Sequence, residues 1–180
     1  MSRFTNAIAI TLISAISLCG FPTAAQQSEP KPTSLANEVR HQLVLLPYYS
    51  VFDNLAFRVE GSKVILLGQV VRPTLKSDAE AAAKGVEGVS SVQNDIEVLP
   101  PAPMDDQIRR AIFRAIYGDT SMTRYGFQAV PSIHIIVKGG HVTLEGVVDN
   151  ETDKNLAYMR ANSVPNVFSV QNDLRIGGAS

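Results

Sequence analysis

The sequence contains a single cysteine, no tryptophan and no excess of either charge. With only Cys19, an internal disulfide and a cysteine-based zinc site are both excluded. The 180 residues carry 16 Lys and Arg against 17 Asp and Glu, so the broad positive field of a general nucleic-acid binder is missing and no nucleic-acid partner is expected. Aromatic residues make up only 7% of a chain that is 45% hydrophobic. The expected core is therefore built of Val, Ile, Leu and Ala.

Charge is also missing from the N-terminal segment, residues 4–28. Its apolar stretch is shorter than the roughly 20 residues of a bilayer span, and small residues flank a cleavage point after Ala25. These features predict a secretory signal peptide over residues 1–25 and an exported protein. An uncleaved anchor over residues 8–25 and a lipid on Cys19 are the alternatives.

The rest of the chain contains an internal duplication. Residues 61–98 align with residues 139–176 at an offset of 78 without a gap, and sixteen of the 38 positions are identical. The identities include one unbroken run, residues 91–95 against residues 169–173. Because the chain has no low-complexity bias, this regularity indicates two copies of one structural unit. A proline-rich spacer, residues 100–103, stands between them.

Hydrophobic spacing predicts the same five elements in both copies. Each copy begins with an amphipathic helix, continues with a two-stranded hairpin and an alanine-rich helix, and ends in a third strand. Pro47 is expected to end the first helix. The fold class is therefore α+β: two tandem αββαβ domains, each a three-stranded mixed sheet with two helices packed on one face. The predicted segments are a tail at 26–34, a first domain at 35–99, a linker at 100–103 and a second domain at 104–177.

Polar residues and glycines inside the repeat are expected to be structural. Asn94 and Asn172 share a face with apolar strand residues, where an amide can fix a neighbouring turn by hydrogen bonds. Gly68 and Gly146 interrupt strand patterns, which is typical of a bulge or of close backbone packing.

No catalytic constellation stands out in the sequence. The histidines, His41, His134 and His141, lack the short spacing that brings two imidazoles onto one metal. A Gly-x-Ser-x-Gly nucleophile elbow and a phosphate-binding P-loop are both missing. The acidic pair Asp105-Asp106 at a helix start is explained by helix capping. The prediction is therefore a protein without enzymatic activity, cofactor or metal site.

The repeated motifs resemble those of the BON domain. The resemblance lies in the αββαβ order, the Gly-x-Val-x-Leu-x-Gly-x-Val run at 140–148 and the Val-x-x-Val-x-Asn endings at 89–94 and 167–172, and it covers roughly residues 35–176. It implies a non-enzymatic module of the cell envelope, periplasmic or associated with the outer membrane. The implied role is to support tolerance of osmotic stress and to associate with anionic phospholipid or membrane-proximal proteins. A soluble chaperone-like protein that holds client proteins is the alternative implied by the same resemblance.

The first helix of copy two carries the candidate binding site. At about 100° per residue, its aromatic residues project away from the apolar stripe of the helix and are flanked by arginines. Rings beside guanidinium groups suit a phospholipid headgroup region or a partner protein. The predicted lipid- or partner-binding residues are Arg109, Arg110, Phe113, Arg114 and Tyr117. The alternative is that the long loop 118–131 folds back and buries the rings, since copy two has nine more residues than copy one between helix and strand.

Overall fold

The computed structural model describes residues 32–128 and 130–177. The predicted signal peptide and most of the predicted tail lie outside the described residues. Copy one contains α1 (Pro32–Val44), β1 (Asn54–Glu60), β2 (Lys63–Val70), α2 (Pro73–Lys84), β3 (Ser91–Asn94) and β4 (Glu97–Val98). Copy two contains α3 (Pro103–Tyr117), a short 3-10 helix (Thr123–Gly126), β5 (Ile133–Lys138), β6 (His141–Val148), α4 (Glu151–Asn162), β7 (Ser169–Asn172) and β8 (Arg175–Ile176).

The two copies share one sheet topology. In copy one, β1 pairs antiparallel with β2, and both β3 and β4 pair parallel with β2. In copy two, β5, β6, β7 and β8 repeat these pairings. The helix between the hairpin and the last strand supplies the crossover that a parallel pair requires. The predicted α+β fold of two mixed sheets is confirmed, with the third strand of each copy divided into two segments.

Each sheet buries one face under its two helices. In copy one, α1 contributes Leu35, Val39 and Leu43, and α2 contributes small alanines that let it lie close to the sheet. The corresponding core of copy two contains Ile108, Ile112 and Ile116 of α3. These helix positions are almost fully buried, which explains why a 3.6-residue hydrophobic period was visible in the sequence.

The repeated asparagines bridge the interruption of the third strand. Asn94 Nδ2 donates to the Lys76 carbonyl of α2 at 2.9 Å, and Asn94 Oδ1 accepts from Ile96 N at 3.2 Å. Asn172 donates to the Lys154 carbonyl of α4 at the same distance and accepts from Leu174 N. Each amide therefore fixes the strand to the preceding helix, and the structural interpretation of this motif is confirmed.

The strand glycines are required by close backbone packing. Gly68 and Gly146 adopt φ values of 106° and 121°, and a Cβ at either would meet a backbone carbonyl oxygen of the neighbouring strand region at 2.0 Å. L-residues rarely adopt this conformation. The expectation of close packing at these positions is confirmed.

Two local expectations about the first helices are wrong. Helix α1 begins at residue 32, inside the predicted tail, whereas its end at Val44, within one turn before Pro47, agrees with the expected stop. Asp105 does not cap α3, because its carboxylate accepts instead from Gly139 N at 2.8 Å and Gly140 N at 2.9 Å. It therefore ties α3 to the β5–β6 turn, a contact that helix position alone does not reveal.

A short segment of copy one packs into copy two. The carbonyl of Val51 accepts from Ile135 N at 2.8 Å, and the Val51 side chain, 7% exposed, joins the core of copy two. Tyr49 stacks on His134 with ring centroids 5.6 Å apart, and Phe52 meets Phe113 of α3 edge-on at 6.2 Å. The second core is thus completed by the first copy.

Candidate functional site

The exposed face of α3 presents two arginines one turn apart. Arg110 and Arg114 are both exposed, Met104 is 51% exposed near the start of the helix, and Phe113 is 37% exposed beside Arg114. Among residues 32–128 and 130–177, no hydrogen bond or ion pair engages either guanidinium. The face therefore combines unpaired positive charge with apolar surface.

Two other arginines in this domain are held by carboxylates. Arg124 pairs with Asp149 at 3.0 Å and also with Asp153, and Arg160 pairs with Asp119 at 2.5 Å. Hydrogen bonds from Ser121, and then from Arg160, lower the pKa of Asp119 to about 2. Arg110 and Arg114 differ from these two arginines because no acid among the described residues holds them, and they lie one turn apart beside apolar surface, available to an external anion.

Arg109 does not lie on the exposed surface that the sequence predicted. Its side chain is 3% exposed, Nη1 donates to Asp106 at 2.6 Å, and Nη2 donates to the Val137 carbonyl at 2.5 Å. Its aliphatic stem packs beside the apolar stripe while its head covers a carbonyl of edge strand β5. Arg109 is therefore a structural residue and is removed from the candidate surface.

Tyr117 is also partly buried. Its hydroxyl donates to the Ile133 carbonyl at 2.6 Å, and burial raises the pKa of this phenol well above its usual value. The loop covers its ring, since a Cβ at Gly126 would meet Tyr117 Cδ1 at 3.0 Å. Tyr117 forms the floor of the surface and is not an inserting side chain.

The loop after α3 folds back only in part. Met122 is fully buried and Tyr125 is 5% exposed, as the burial alternative expected, but Phe127 is 81% exposed. Phe127, Phe113, Arg114 and Tyr117 line a shallow cleft of about 430 Å³ at the end of the helix. Phe113 thus keeps one exposed edge next to a fully presented second ring.

Two members of this surface were not among the predicted site residues. Met104 lies in the first turn of α3, just before the segment 105–117 in which the aromatic–arginine pattern was found, and Phe127 lies in the loop after the helix. One feature of the sequence could have indicated that Phe127 is exposed. Its chain neighbours, Gly126 and Gln128, are small or polar and offer no apolar partner to the ring. We define the α3 surface as Met104, Arg110, Phe113, Arg114 and Phe127.

The described residues contain neither a group of three or more potential metal ligands nor a helix long and apolar enough to cross a bilayer.

Comparison with known proteins identifies the repeated unit. The sequence profile of the BON domain matches residues 33–100 and again residues 105–178. The chain belongs to the BON domain family. Its two BON domains correspond to the two copies, and the resemblance expected from the repeat is confirmed.

Two curated proteins are similar to this double-BON chain. "Osmotically-inducible protein Y" of Escherichia coli is 30% identical over 130 residues, which is 68% of this chain and 61% of that protein. "Outer membrane lipoprotein DolP" of Haemophilus influenzae is 32% identical over 110 residues, which is 61% of this chain and 56% of that protein. The aligned region thus spans less than two thirds of either relative.

Among solved structures, the C-terminal domain of CdsD, a structural protein of the type III secretion system of Chlamydia trachomatis, aligns with 81% of this BON chain and 98% of its own. The identity is 12% and the TM-score 0.31, so this likeness carries no functional argument.

Proposed function

We propose that this BON protein is an exported, non-enzymatic envelope protein whose second domain binds anionic phospholipid through the α3 surface. The observation that carries the proposal is the pair Arg110 and Arg114, exposed and unpaired among the described residues, beside Phe113 and Phe127. A guanidinium fork matches the geometry of a phosphate, and aromatic rings favour the headgroup level of a bilayer.

The expected strength of the contact follows from its composition. Each basic residue near an anionic membrane contributes about 1 kcal/mol, so the two arginines together contribute about 2 kcal/mol, or about thirtyfold in affinity. This contribution decreases as salt screens the charges. The apolar contribution of Phe127, whose ring is 81% exposed in the free protein, does not depend on salt in the same way.

The relatives support an envelope setting. One is named for osmotic induction and the other as an outer membrane lipoprotein. We extend their setting to this protein as part of the proposal, with a role in envelope integrity under osmotic stress.

The proposal includes removal of residues 1–25. Mass spectrometry of the protein recovered from the periplasm should give an N-terminus at Gln26. Retention of Met1, or a lipid on Cys19, would contradict this and make the protein an anchored one.

Vesicle co-sedimentation tests the lipid contact. Mature protein should sediment with phosphatidylglycerol-rich vesicles and not with phosphatidylcholine vesicles, and the double variant R110Q/R114Q should bind about thirtyfold more weakly at low salt. The matched control is R72Q/R175Q, which removes the same charge from two exposed arginines outside α3. If both double variants lost the same affinity for the vesicles, the effect would come from net charge alone, which would contradict a localised site.

The aromatic part of the surface has its own test. Phe127→Ser should weaken vesicle binding at both low and high salt, because it removes apolar burial and not charge. Tyr48→Ser is the control, since Tyr48 is 69% exposed in the first domain. Unchanged binding of Phe127→Ser would show that the ring does not enter the bilayer.

A further inference from the structure

The apolar part of the α3 surface is bordered by two corresponding connections of the chain. Phe127 lies in the connection from α3 to β5 and lines the same cleft as Phe113. Phe52 lies in the connection from α1 to β1 of the first domain, and its ring meets that of Phe113 with centroids 6.2 Å apart and planes at 66°. The first domain therefore contributes a ring beside the proposed lipid contact.

The first domain holds Phe52 in a hydrogen-bonded turn. Asp53 N donates to the Ser50 carbonyl at 3.1 Å, and Phe52 N donates to Ser50 Oγ at 3.2 Å. The buried Asp53 carboxylate accepts from Ser50 N, from Ser50 Oγ and from Val71 N, directly after β2. The turn is thereby fixed to the first sheet.

The same turn is also anchored in the second domain. Val51 is 7% exposed, with its side chain in the second core, and its carbonyl accepts from Ile135 N of β5 at 2.8 Å. Phe52, the next residue, is half-buried and packs against the same core. Because both domains hold this turn, the Phe52 ring forms a fixed wall beside Phe113.

Phe113 has a second fixed ring as its neighbour. Its centroid lies 4.9 Å from that of Tyr117, whose hydroxyl donates to the Ile133 carbonyl at 2.6 Å. Tilted and edge-on arrangements of this kind are the favoured geometries of aromatic pairs. Two immobilised rings therefore set the orientation in which Phe113 remains 37% exposed beside Arg114.

The exposed orientation of Phe113 depends on the space that Phe52 fills. A phenylalanine on a helix has two common χ1 rotamers, so a second orientation of the ring exists. If Phe52 were truncated, rotation of Phe113 into the gap would remove its exposed apolar surface from water, which the hydrophobic effect favours. Phe52 therefore keeps an apolar ring at the surface.

This dependence runs from the first domain to the second. Within residues 32–128 and 130–177, the ring contacts between the domains are Phe52 on Phe113 and Tyr49 on His134. Both place a side chain of the α1–β1 connection on an element of the second domain. Helix α1, the counterpart of α3, contains no Phe, Tyr or Trp, so the first domain has no equivalent ring to be positioned in return.

We propose that Phe52 is a positioning residue of the α3 surface, through which the first domain holds Phe113 in the orientation that meets an anionic membrane. The inference rests on the proposed lipid contact and gives the first domain a role in it. Since Phe52 acts on a ring and not on a charge, its loss weakens the apolar part of lipid binding and leaves the contribution of Arg110 and Arg114 unchanged.

A reporter in the free protein tests the positioning itself. The chain contains no tryptophan, so Phe113→Trp introduces a single indole at the positioned side chain. Adding Phe52→Ala should let the indole turn into the gap and lower its quenching by acrylamide about twofold. Adding Phe57→Ala, which removes a half-buried ring that packs on the first core, should leave the quenching unchanged. Equal quenching with and without Phe52 would overturn the proposal.

Vesicle binding with a double-mutant cycle tests the consequence for lipid. Phe52→Ala should weaken binding to phosphatidylglycerol-rich vesicles about threefold to tenfold, at low and at high salt alike. In a Phe113→Ala background the same change should have no further effect, because the ring that it positions is gone. Equal losses in both backgrounds would mean that Phe52 contacts lipid directly and would overturn the positioning role.

Two further variants separate positioning from a loss of fold. Phe52→Leu keeps an apolar side chain against Phe113 and should retain wild-type affinity within about twofold. Phe57→Ala should lower the free energy of unfolding in urea without a change in vesicle affinity. A loss of affinity in Phe57→Ala as large as that in Phe52→Ala would overturn the proposal.

The wild-type protein distinguishes this inference from the proposed function. Absence of wild-type binding to the anionic vesicles would overturn the proposed function and the inference together. Wild-type binding with an unaffected Phe52→Ala variant would overturn the inference alone.

Discussion

Asp53 fixes the segment through which the first domain completes the second. It is fully buried, and its carboxylate accepts from Val71 N at 2.8 Å, Ser50 N at 3.1 Å and Ser50 Oγ at 2.6 Å. These bonds hold the turn that presents Val51 and Phe52 to the second domain. Asp53→Ala should therefore weaken both the first domain and the contact between the domains.

The size of the effect follows from the groups left without a partner. Each part-buried backbone N–H that loses its acceptor costs about 1–2 kcal/mol, so two of them cost about 2–4 kcal/mol. For a chain of this size that corresponds to a decrease in Tm of about 5–15 °C. Asp53→Asn keeps one acceptor oxygen and should lose about half as much.

Urea unfolding followed by circular dichroism measures this loss, and hydrogen exchange localises it. The amide of Ile135 should exchange faster in Asp53→Ala, because its acceptor is the Val51 carbonyl. Asp95→Ala, at an exposed carboxylate, is the control and should change stability by less than about 0.5 kcal/mol. Wild-type stability and an equally protected Ile135 amide in Asp53→Ala would refute the role given to this aspartate.

Three further predictions test the fold. Asn172→Ala removes the bond to the Lys154 carbonyl and should lower the free energy of unfolding by about 1–3 kcal/mol in urea, whereas Gln171→Ala, at an exposed position, should have little effect. Gly146→Ala should cost at least about 1–3 kcal/mol by the same assay, because its Cβ would overlap the Ser132 carbonyl oxygen, and wild-type stability would contradict the packing. Burial lowers the pKa of His134, so the neutral ring is favoured in the folded state and the free energy of unfolding should fall as the pH drops below 6.5. His134→Asn should reduce that pH dependence. An unchanged dependence would show that His134 is not its source.

The fold was predictable because its signals are local and occur twice. Helix α3 repeats apolar residues at a helical period, and the strands alternate around glycine turns, so type and order of the elements follow from short stretches. The asparagine of the third strand was interpretable because its spacing placed an amide on an apolar face.

The composition of the site was less predictable because it depends on contacts between distant segments. A helical wheel places Arg109 beside Arg110 but does not show that a carbonyl of β5 lies within its reach. Nor does periodicity indicate that Val51, in an irregular connection of one domain, packs into the core of the other. Such pairings require the tertiary arrangement of both copies.

The central claim, insertion of the α3 surface into an anionic membrane, has a direct optical test. The chain contains no tryptophan, so Phe127→Trp introduces a single reporter at the most exposed ring of the surface. Ala81→Trp, on an exposed position of α2 in the first domain, is the control. Each variant is titrated with phosphatidylglycerol-rich and with phosphatidylcholine vesicles, and its emission spectrum is recorded.

The account predicts that emission of Phe127→Trp shifts to shorter wavelength only with the anionic vesicles and is quenched by lipids brominated near the headgroup. Ala81→Trp should keep the emission of a solvated indole throughout. An unchanged spectrum of Phe127→Trp while the protein sediments with anionic vesicles would show that the membrane is bound through another surface and contradict the account.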